Sequence, residues 1–532
     1  MNTLRNTVFI ILAGWMLHSC ALSPASRQQS MYKEPHRPQF HFSPAENWMN
    51  DPNGMFYFDG EYHLFYQYYP DSNVWGPMHW GHAVSTDLVH WEHLPIALYP
   101  DSLGYIFSGS AVVDWNNTSG LGQNGRPPLV AIFTYHNPDA ERAGRSDFQY
   151  QGIAYSNDKG RTWTKYPGNP VVPNTQKIRD FRDPKVIWDE ASQQWVMVFA
   201  AADHVKLWRS DNLTEWTHLS DFGKEWGSHG GVWECPDLFP IQVEGSNEKK
   251  WVLLLSINPG AANGGSGTQY FVGNFDGKKL ELDPTFAPDV SGEKAVWLDY
   301  GRDNYAGVTW SDIPKEDGRR IFIGWMSNWD YATRVPTQKW RSSTTIPRTL
   351  TLRKTGEGYR VFSEPVKELQ NLRASARRLE SAELSGFLDI TAQIGATSPA
   401  QMELVLDFEL PAGAYPDFGV QLSNSKGEQY RVGYNAAAKQ FYSDRRNTGN
   451  ISFSDKFARS NHSAPRLSEE KTIRMHLFLD AASAELFADG GATVLTDIFF
   501  PGEDFHQIAL YSEKGSVKLL KAEAFRLRSI WR

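Results

Sequence analysis

Between Phe40 and about Leu352 the apolar residues come in short runs of aromatic and β-branched type, separated by polar turns, with almost no helical periodicity. The segment "MFYFDGEYHLFYQYY" (residues 55–69) shows the pattern best, as two strand-like runs joined by Asp59-Gly60, a hairpin dipeptide. Further runs follow in "PLVAIFTY", "PKVIWD", "QWVMVFAA", "KWVLLLSI", "QYFVGNF" and "RRIFIGWM". Strands this short and numerous must close on themselves or repeat, because long open edges invite aggregation. An internal echo favours repetition. Ser85-Thr86-Asp87 leads to Trp91, Ser156-Asn157-Asp158 to Trp163, and Ser210-Asp211-Asn212 to Trp216. In each, a polar turn that can cap backbone donors precedes a Trp that packs inward. The intervals of 72 and 53 residues between these Trps suit four-stranded blades with insertions. The pattern predicts an all-β chain with a five-bladed β-propeller over residues 39–352; a pair of stacked sandwiches is the alternative.

After about Gly358 the pattern changes. A charged stretch, "RASARRLESAEL", leads into alternating strands such as "QMELVLDFEL", "TIRMHLFLD" and "SAELFADG". Alternation of this kind belongs to antiparallel strands buried on one face. The reading is a linker over residues 353–373 and a C-terminal β-sandwich over 374–532. At the other end, a short basic start and the apolar "TVFIILAGWML" form an export signal too short to span a bilayer. Leu17-His18-Ser19-Cys20 resembles a bacterial lipoprotein box, which assigns residues 1–20 to the signal, Cys20 to lipidation and residues 21–38 to a polar tether. Ordinary secretion is the alternative. With Cys20 lipidated, Cys235 has no thiol to pair with, so no disulfide is expected.

Composition adds to this picture in two ways. The net charge of −8, without clustered Lys and Arg, gives no footprint for nucleic acid. The 20 Trp, 22 Tyr and 30 Phe fit a β core, and they fit equally a cleft where aromatic rings stack on the C–H faces of sugars; composition does not separate the two uses. No His or Cys spacing suggests a metal site.

Three acids share unusual neighbours: Asp51 in "NWMNDPNG", Asp183 in "FRDPKV" and Glu234 in "GGVWECPDLF", each with an apolar or aromatic residue and a Pro close by. Taken singly, Asp-Pro is a turn signal. Glu234, between Trp233 and Cys235, is expected in an apolar setting that keeps a carboxyl protonated, as a general acid requires. Asp51, fixed in a turn rich in backbone N–H groups, is expected to stay ionised, as a nucleophile requires. An acid and a carboxylate in opposed environments form the pair that glycoside hydrolysis uses. A propeller can unite them despite the 183 residues between them, since its inner strands converge on one channel.

The chain resembles glycoside hydrolase family 32, the β-fructofuranosidases, through "WMNDPNG", "HLFYQYYP", "WGPMHWGHAVSTDLVHW", "IFSGS", "FRDPKV", "WECPDLF", "YFVGNFDG", "LDYGRDNYA" and "GWMSNW", in family order. The resemblance implies a five-bladed propeller followed by a β-sandwich. It implies Asp51 as nucleophile, Glu234 as acid and base, and Asp183 as transition-state stabiliser. Asn50, Gln67, Trp75, Phe107, Ser108, Arg182 and Trp329 match positions that line the fructose pocket. A retaining displacement follows, with the two reacting carboxyls about 5–5.5 Å apart. Levan, inulin and sucrose are the implied substrates, and the chemistry needs neither metal nor organic cofactor. Exo release of fructose is the first reading. An endo-levanase, a transfructosylase and a non-catalytic surface sugar-binding propeller are the alternatives. Any membrane association would come from the lipid anchor alone.

Overall fold

The computed structural model describes residues 32–395, 399–411 and 413–531; the expected signal, Cys20 and most of the tether lie outside the described residues. Five antiparallel sheets follow one another along the chain. Their inner strands are Asn47–Phe58, Tyr105–Val113, Phe181–Asp189, Val232–Gln242 and Tyr305–Thr309. Each inner strand packs beside that of the next sheet, and the fifth returns to the first, which makes a five-bladed ring. A parallel pairing of Trp340–Arg341 with Asn47–Trp48 fastens the last blade to the first.

Local sequence signals account for much of the blade geometry. Asp59 (φ 51°) and Gly60 (φ 90°) close the first hairpin, where Phe58 pairs with Glu61, so both central residues are left-handed as a two-residue loop demands. The three Ser-Asp/Asn motifs each cap the turn between the third and fourth strands of blades one, two and three. Asp87 Oδ1 accepts from the Val89 and His90 amides, Asp158 Oδ1 from Thr162, and Asn212 Oδ1 from Thr214 and Glu215. Trp163 and Trp216 then donate their indole N–H groups back into the same turns.

The expected linker is not one. Within residues 353–373, strand Gly358–Pro365 pairs along its whole length with Arg348–Thr355 and forms the outer edge of the fifth blade. A 3-10 helix, Lys367–Leu372, then leads to the strand Arg373–Leu379. Of the charged residues that suggested a linker, Arg377 and Arg378 face solvent and Arg373 pairs with buried Glu403 (2.6 Å), while Leu350, Leu352, Tyr359 and Val361 fill the core between blades.

The C-terminal unit is a β-sandwich built around one long strand, Gln507–Leu527. Its first half pairs with Asp417–Ser423 and its second half with Met402–Glu409, with left-handed Lys514 (φ 60°) between them. It thereby serves both leaves, which enclose an apolar core that includes Leu404, Phe418, Val432, Leu477 and Leu510.

Propeller and sandwich meet across buried ion pairs. Arg348 of the fifth blade donates to Asp299 (2.9 Å), Thr496 (2.7 Å) and Glu485. Arg445 of the sandwich donates to Asp303 (2.6 Å) and to the Tyr331 hydroxyl (2.8 Å). His41 lies between Asp480 (2.7 Å) and Glu485 (2.8 Å); against the opposing effect of burial, these carboxylates lift its pKa to about 9. Removing one partner of such a pair leaves an uncompensated buried charge, typically at a cost of about 3–5 kcal/mol. The sandwich is therefore fixed to the propeller by charge as well as by apolar packing.

Candidate active site

All five inner strands lose register with their neighbours near the same mouth of the ring. The breaks fall between Asn50 and Pro52, Ile106 and Gly109, Arg182 and Lys185, Glu234 and Asp237, and Tyr305 and Val308. A bulge of this kind re-aims side chains that would otherwise alternate between the faces of a sheet. The residues it re-aims are Asp51, Phe107 with Ser108, Asp183, Cys235 and Ala306. Proline explains three of the five breaks: Pro52, Pro184 and Pro236 have no N–H to give to a ladder. The "DPNG" segment is thus a doubly bulged stretch of strand, rather than the tight turn that its dipeptides suggested. Gly54 (φ 57°) sits in the second bulge, where a Cβ would meet the Trp80 and Phe65 rings at 2.7 and 2.9 Å. Asp183 (φ 65°) and Cys235 (φ 46°) take left-handed backbone, which costs a non-glycine residue on the order of 1 kcal/mol or more. Amides freed by the bulges find partners in neighbouring blades. Asp183 N–H donates to Thr134 Oγ1 (2.9 Å), Ala306 N–H to Ser256 Oγ (3.0 Å), and Cys235 N–H to Asp183 Oδ2 (3.0 Å).

The three acids converge. Asp51 accepts from Asn50 Nδ2 (2.9 Å) on Oδ1 and from Ser108 Oγ (2.8 Å) on Oδ2. Glu234 Oε1 accepts from Arg182 Nη2 (3.0 Å) and Nε (3.2 Å), and its Oε2 accepts from the Tyr305 hydroxyl. Between the acids lies the Cys235 thiol, 3.7 Å from both Asp51 Oδ2 and Asp183 Oδ2. Burial and the three carboxylates push this thiol's pKa well up, so it is a neutral, weak donor. Arg182 is itself held by Asp180 (2.5 Å) and Gln149 (3.3 Å).

The pocket positions also assemble, by different routes. Gln67 is buried opposite Asn50 in the first hairpin, and its Nε2 has no hydrogen-bond partner. Trp48 Nε1 donates to Asn50 Oδ1 (2.7 Å), and the Trp48 ring packs on Trp329 at 5.9 Å, so Trp329 is tied through Trp48 to the Asp51 neighbourhood. Phe107 stacks on His136 at 4.4 Å, and Trp75, 40% exposed, meets its edge at 6.1 Å. Tyr305, Thr134, Gln149 and Asp180 were not singled out from the sequence. Tyr305 could have been, since it lies inside "LDYGRDNYA"; Thr134 gave no local signal.

The electrostatics reverse one expectation. Glu234 is set against the Arg182 guanidinium and the Tyr305 hydroxyl, not in an apolar niche. The carboxyl that the fold pushes up is Asp51, to about 6, first by burial and then by the charge of Glu234, with Asn50 and Ser108 pulling the other way. Burial pushes Asp183 up as well, helped by Glu234 and Asp51 and opposed by Arg182. The reason is burial, reinforced by the crowding of three carboxyls in one site, which no isolated motif reveals. Any reaction that needs ionised Asp51 must fail as pH falls through about 6, since protonation removes the nucleophilic lone pair. An acid limb in kcat/KM at or above that pH, at least about tenfold per unit below it, is expected, since Asp183 is pushed up as well. A profile flat from pH 7 to 4 would contradict a role for that carboxylate.

Residues 41–365 match the model of the glycosyl hydrolases family 32 N-terminal domain, and residues 368–526 that of the family 32 C-terminal domain. The chain belongs to glycosyl hydrolase family 32. Among its relatives in the family, a levanase of Bacillus subtilis is 46% identical, over 99% of this chain and 76% of the levanase. An extracellular exo-inulinase of Aspergillus awamori is 39% identical, over 94% of this chain and 96% of that protein. The crystal structure of exo-inulinase from that fungus superposes with a TM-score of 0.86, at 37% identity, covering 94% of this chain and all of the other. A β-fructofuranosidase from Schwanniomyces occidentalis, complexed with fructosyl-erythritol, gives 0.82 at 32% identity, covering 94% and 99%. Family membership makes this a glycosidase acting on fructosides.

Proposed function

We propose that the protein is a retaining β-fructosidase that removes single fructose units from the ends of fructans and from sucrose. The observation that carries this reading is the meeting of three acids: Asp51 and Asp183, re-aimed by bulges and joined through Cys235, with Glu234, the residue before Cys235, held beside them by Arg182 and Tyr305. Asp51, steadied by Asn50 and Ser108, attacks the anomeric carbon of the terminal fructosyl unit. Glu234, which must carry a proton in the reacting complex, gives it to the leaving oxygen, and Arg182 holds that carboxyl in place. Water then enters, Glu234 takes its proton, and the fructosyl–Asp51 ester is broken with a second inversion. Asp183 grips ring hydroxyls, and its charge stabilises the oxocarbenium-like transition state. The unpartnered Gln67 Nε2 offers a donor to the sugar, and Trp75, Phe107 and Trp329 offer apolar faces.

Exo action is supported by the relatives named exo-inulinases, which align with nearly the whole chain. On levan and inulin, fructose alone is expected from the earliest time points; oligosaccharides appearing first would assign endo action. The relatives named as extracellular, together with the N-terminal signal, support export. Attachment through a lipid on Cys20 is part of the same proposal, and Cys20→Ser would then shift the protein from membranes to the soluble fraction; unchanged membrane association would contradict it.

A further inference from the structure

The acids occupy the starts of their inner strands, at one mouth of the ring. At the opposite mouth, where the inner strands end, lies a second cavity of about 650 Å³, unrelated to the pocket positions above. Its volume is that of a small-molecule site. Trp115 stands on its wall with 60% of its surface exposed, an unusual place for so large an apolar ring. It is nevertheless held rigidly. Its Nε1–H donates to Asp312 Oδ1 (2.9 Å), Asp312 Oδ2 in turn accepts the Val113 amide (3.0 Å), and the ring leans on Phe58 at 5.7 Å. Trp188 also lines the cavity, braced edge-on against Trp195 at 5.0 Å. The polar lining includes Arg320, whose guanidinium lies over the Phe239 ring at 4.7 Å and has no ion-pair partner among the described residues.

We infer that this rear cavity is a second, non-catalytic carbohydrate site that holds a segment of the same polymer whose end is cut at the front. A neutral, hydroxyl-rich chain fits it better than an anion does, because the carboxylates of Asp312 and Glu190 line the cavity together with Arg320 and Lys185. Sugar C–H faces can lie on the pre-set indoles, and ring hydroxyls can bridge the Arg320 guanidinium and the rim acids. Immobilised indoles lose little freedom on binding, so a weak site suffices to keep the polymer near the front pocket. This inference rests on the β-fructosidase reading, and the two can fail separately.

Trp115→Ala and Arg320→Gln test it; the first removes an exposed ring, and the second leaves the aromatic wall intact. In each, KM for high-mass levan or inulin is expected to rise by about threefold or more, with kcat and the kcat/KM for sucrose unchanged. On native gels cast with fructan, in an Asp51→Asn background that leaves the polymer undigested, retardation is expected to fall by about half or more, with none on dextran. Wild-type values of polymer KM and retardation in both variants would overturn the inference, as would an equal loss on sucrose, which would mean the lesion reaches the front pocket. A change in oligomeric mass without a change in polymer binding would also overturn it, assigning the surface to protein contacts. If wild-type enzyme hydrolyses no fructan, the β-fructosidase reading falls, while gel retardation still decides whether the rear cavity binds it.

Discussion

Asp51→Asn is expected to lower kcat on sucrose and fructans by about 10⁴-fold or more, because a neutral amide cannot form the covalent fructosyl ester. The loss should come from chemistry alone. The side chains are nearly isosteric, and an amide oxygen can still accept from either Asn50 or Ser108. Folding stability supplies the internal control. Because the native pKa of Asp51, about 6, lies above the ordinary value of 3.8, its contribution to stability is fully present below pH 3.8 and is lost as pH rises through 6. At pH 7 the buried carboxylate therefore opposes folding, by on the order of 2–3 kcal/mol at most. The Asn variant should melt no lower than wild type at pH 7, and the difference should vanish near pH 4. A variant that melts well below wild type at pH 7, or that keeps more than about a hundredth of its activity, would contradict this assignment.

Glu234→Gln should cost about 10³-fold in kcat, within the usual worth of general acid–base help. Its signature is that the loss depends on the leaving group. Fluoride leaves fructosyl fluoride without needing a proton, so the first step should recover by about tenfold or more relative to sucrose. Azide, which needs no base, should then speed the second step and yield a fructosyl azide. Asp51 responds too: since the Glu234 charge helps to push its pKa up, removing that charge should move the acid limb of the residual activity below pH 6. A uniform loss on every leaving group, with no azide product, would mean that Glu234 binds substrate rather than moving protons.

How much of this could be read from the chain follows a physical division. Features set by neighbours in sequence were legible: the Asp59-Gly60 hairpin, the three Ser-Asp/Asn turns with their tryptophans, and the alternation of the sandwich strands. "DPNG" misled because Asp-Pro and Asn-Gly report local preference only. Pairing with Glu61–Tyr69 draws the segment into a strand and converts both signals into bulges. The joint at 353–373 misled for a similar reason, since a Gly-rich turn at 356–358 and many charges mark the end of a domain and the outer hairpin of a blade equally well. The acids were recognisable by their company, and the Pro beside each marks where the ladder breaks. Their protonation was not legible. Arg182 and Tyr305 reach Glu234 from blades three and five, and no window of sequence around Trp233 contains them.

The sharpest measurement is the configuration of a trapped product. In water containing methanol, two successive displacements through Asp51 should give methyl β-fructofuranoside, resolvable by NMR and stable against mutarotation. Methyl α-fructofuranoside as the first product would mean a single inversion, with Asp51 taking a proton from methanol instead of attacking carbon.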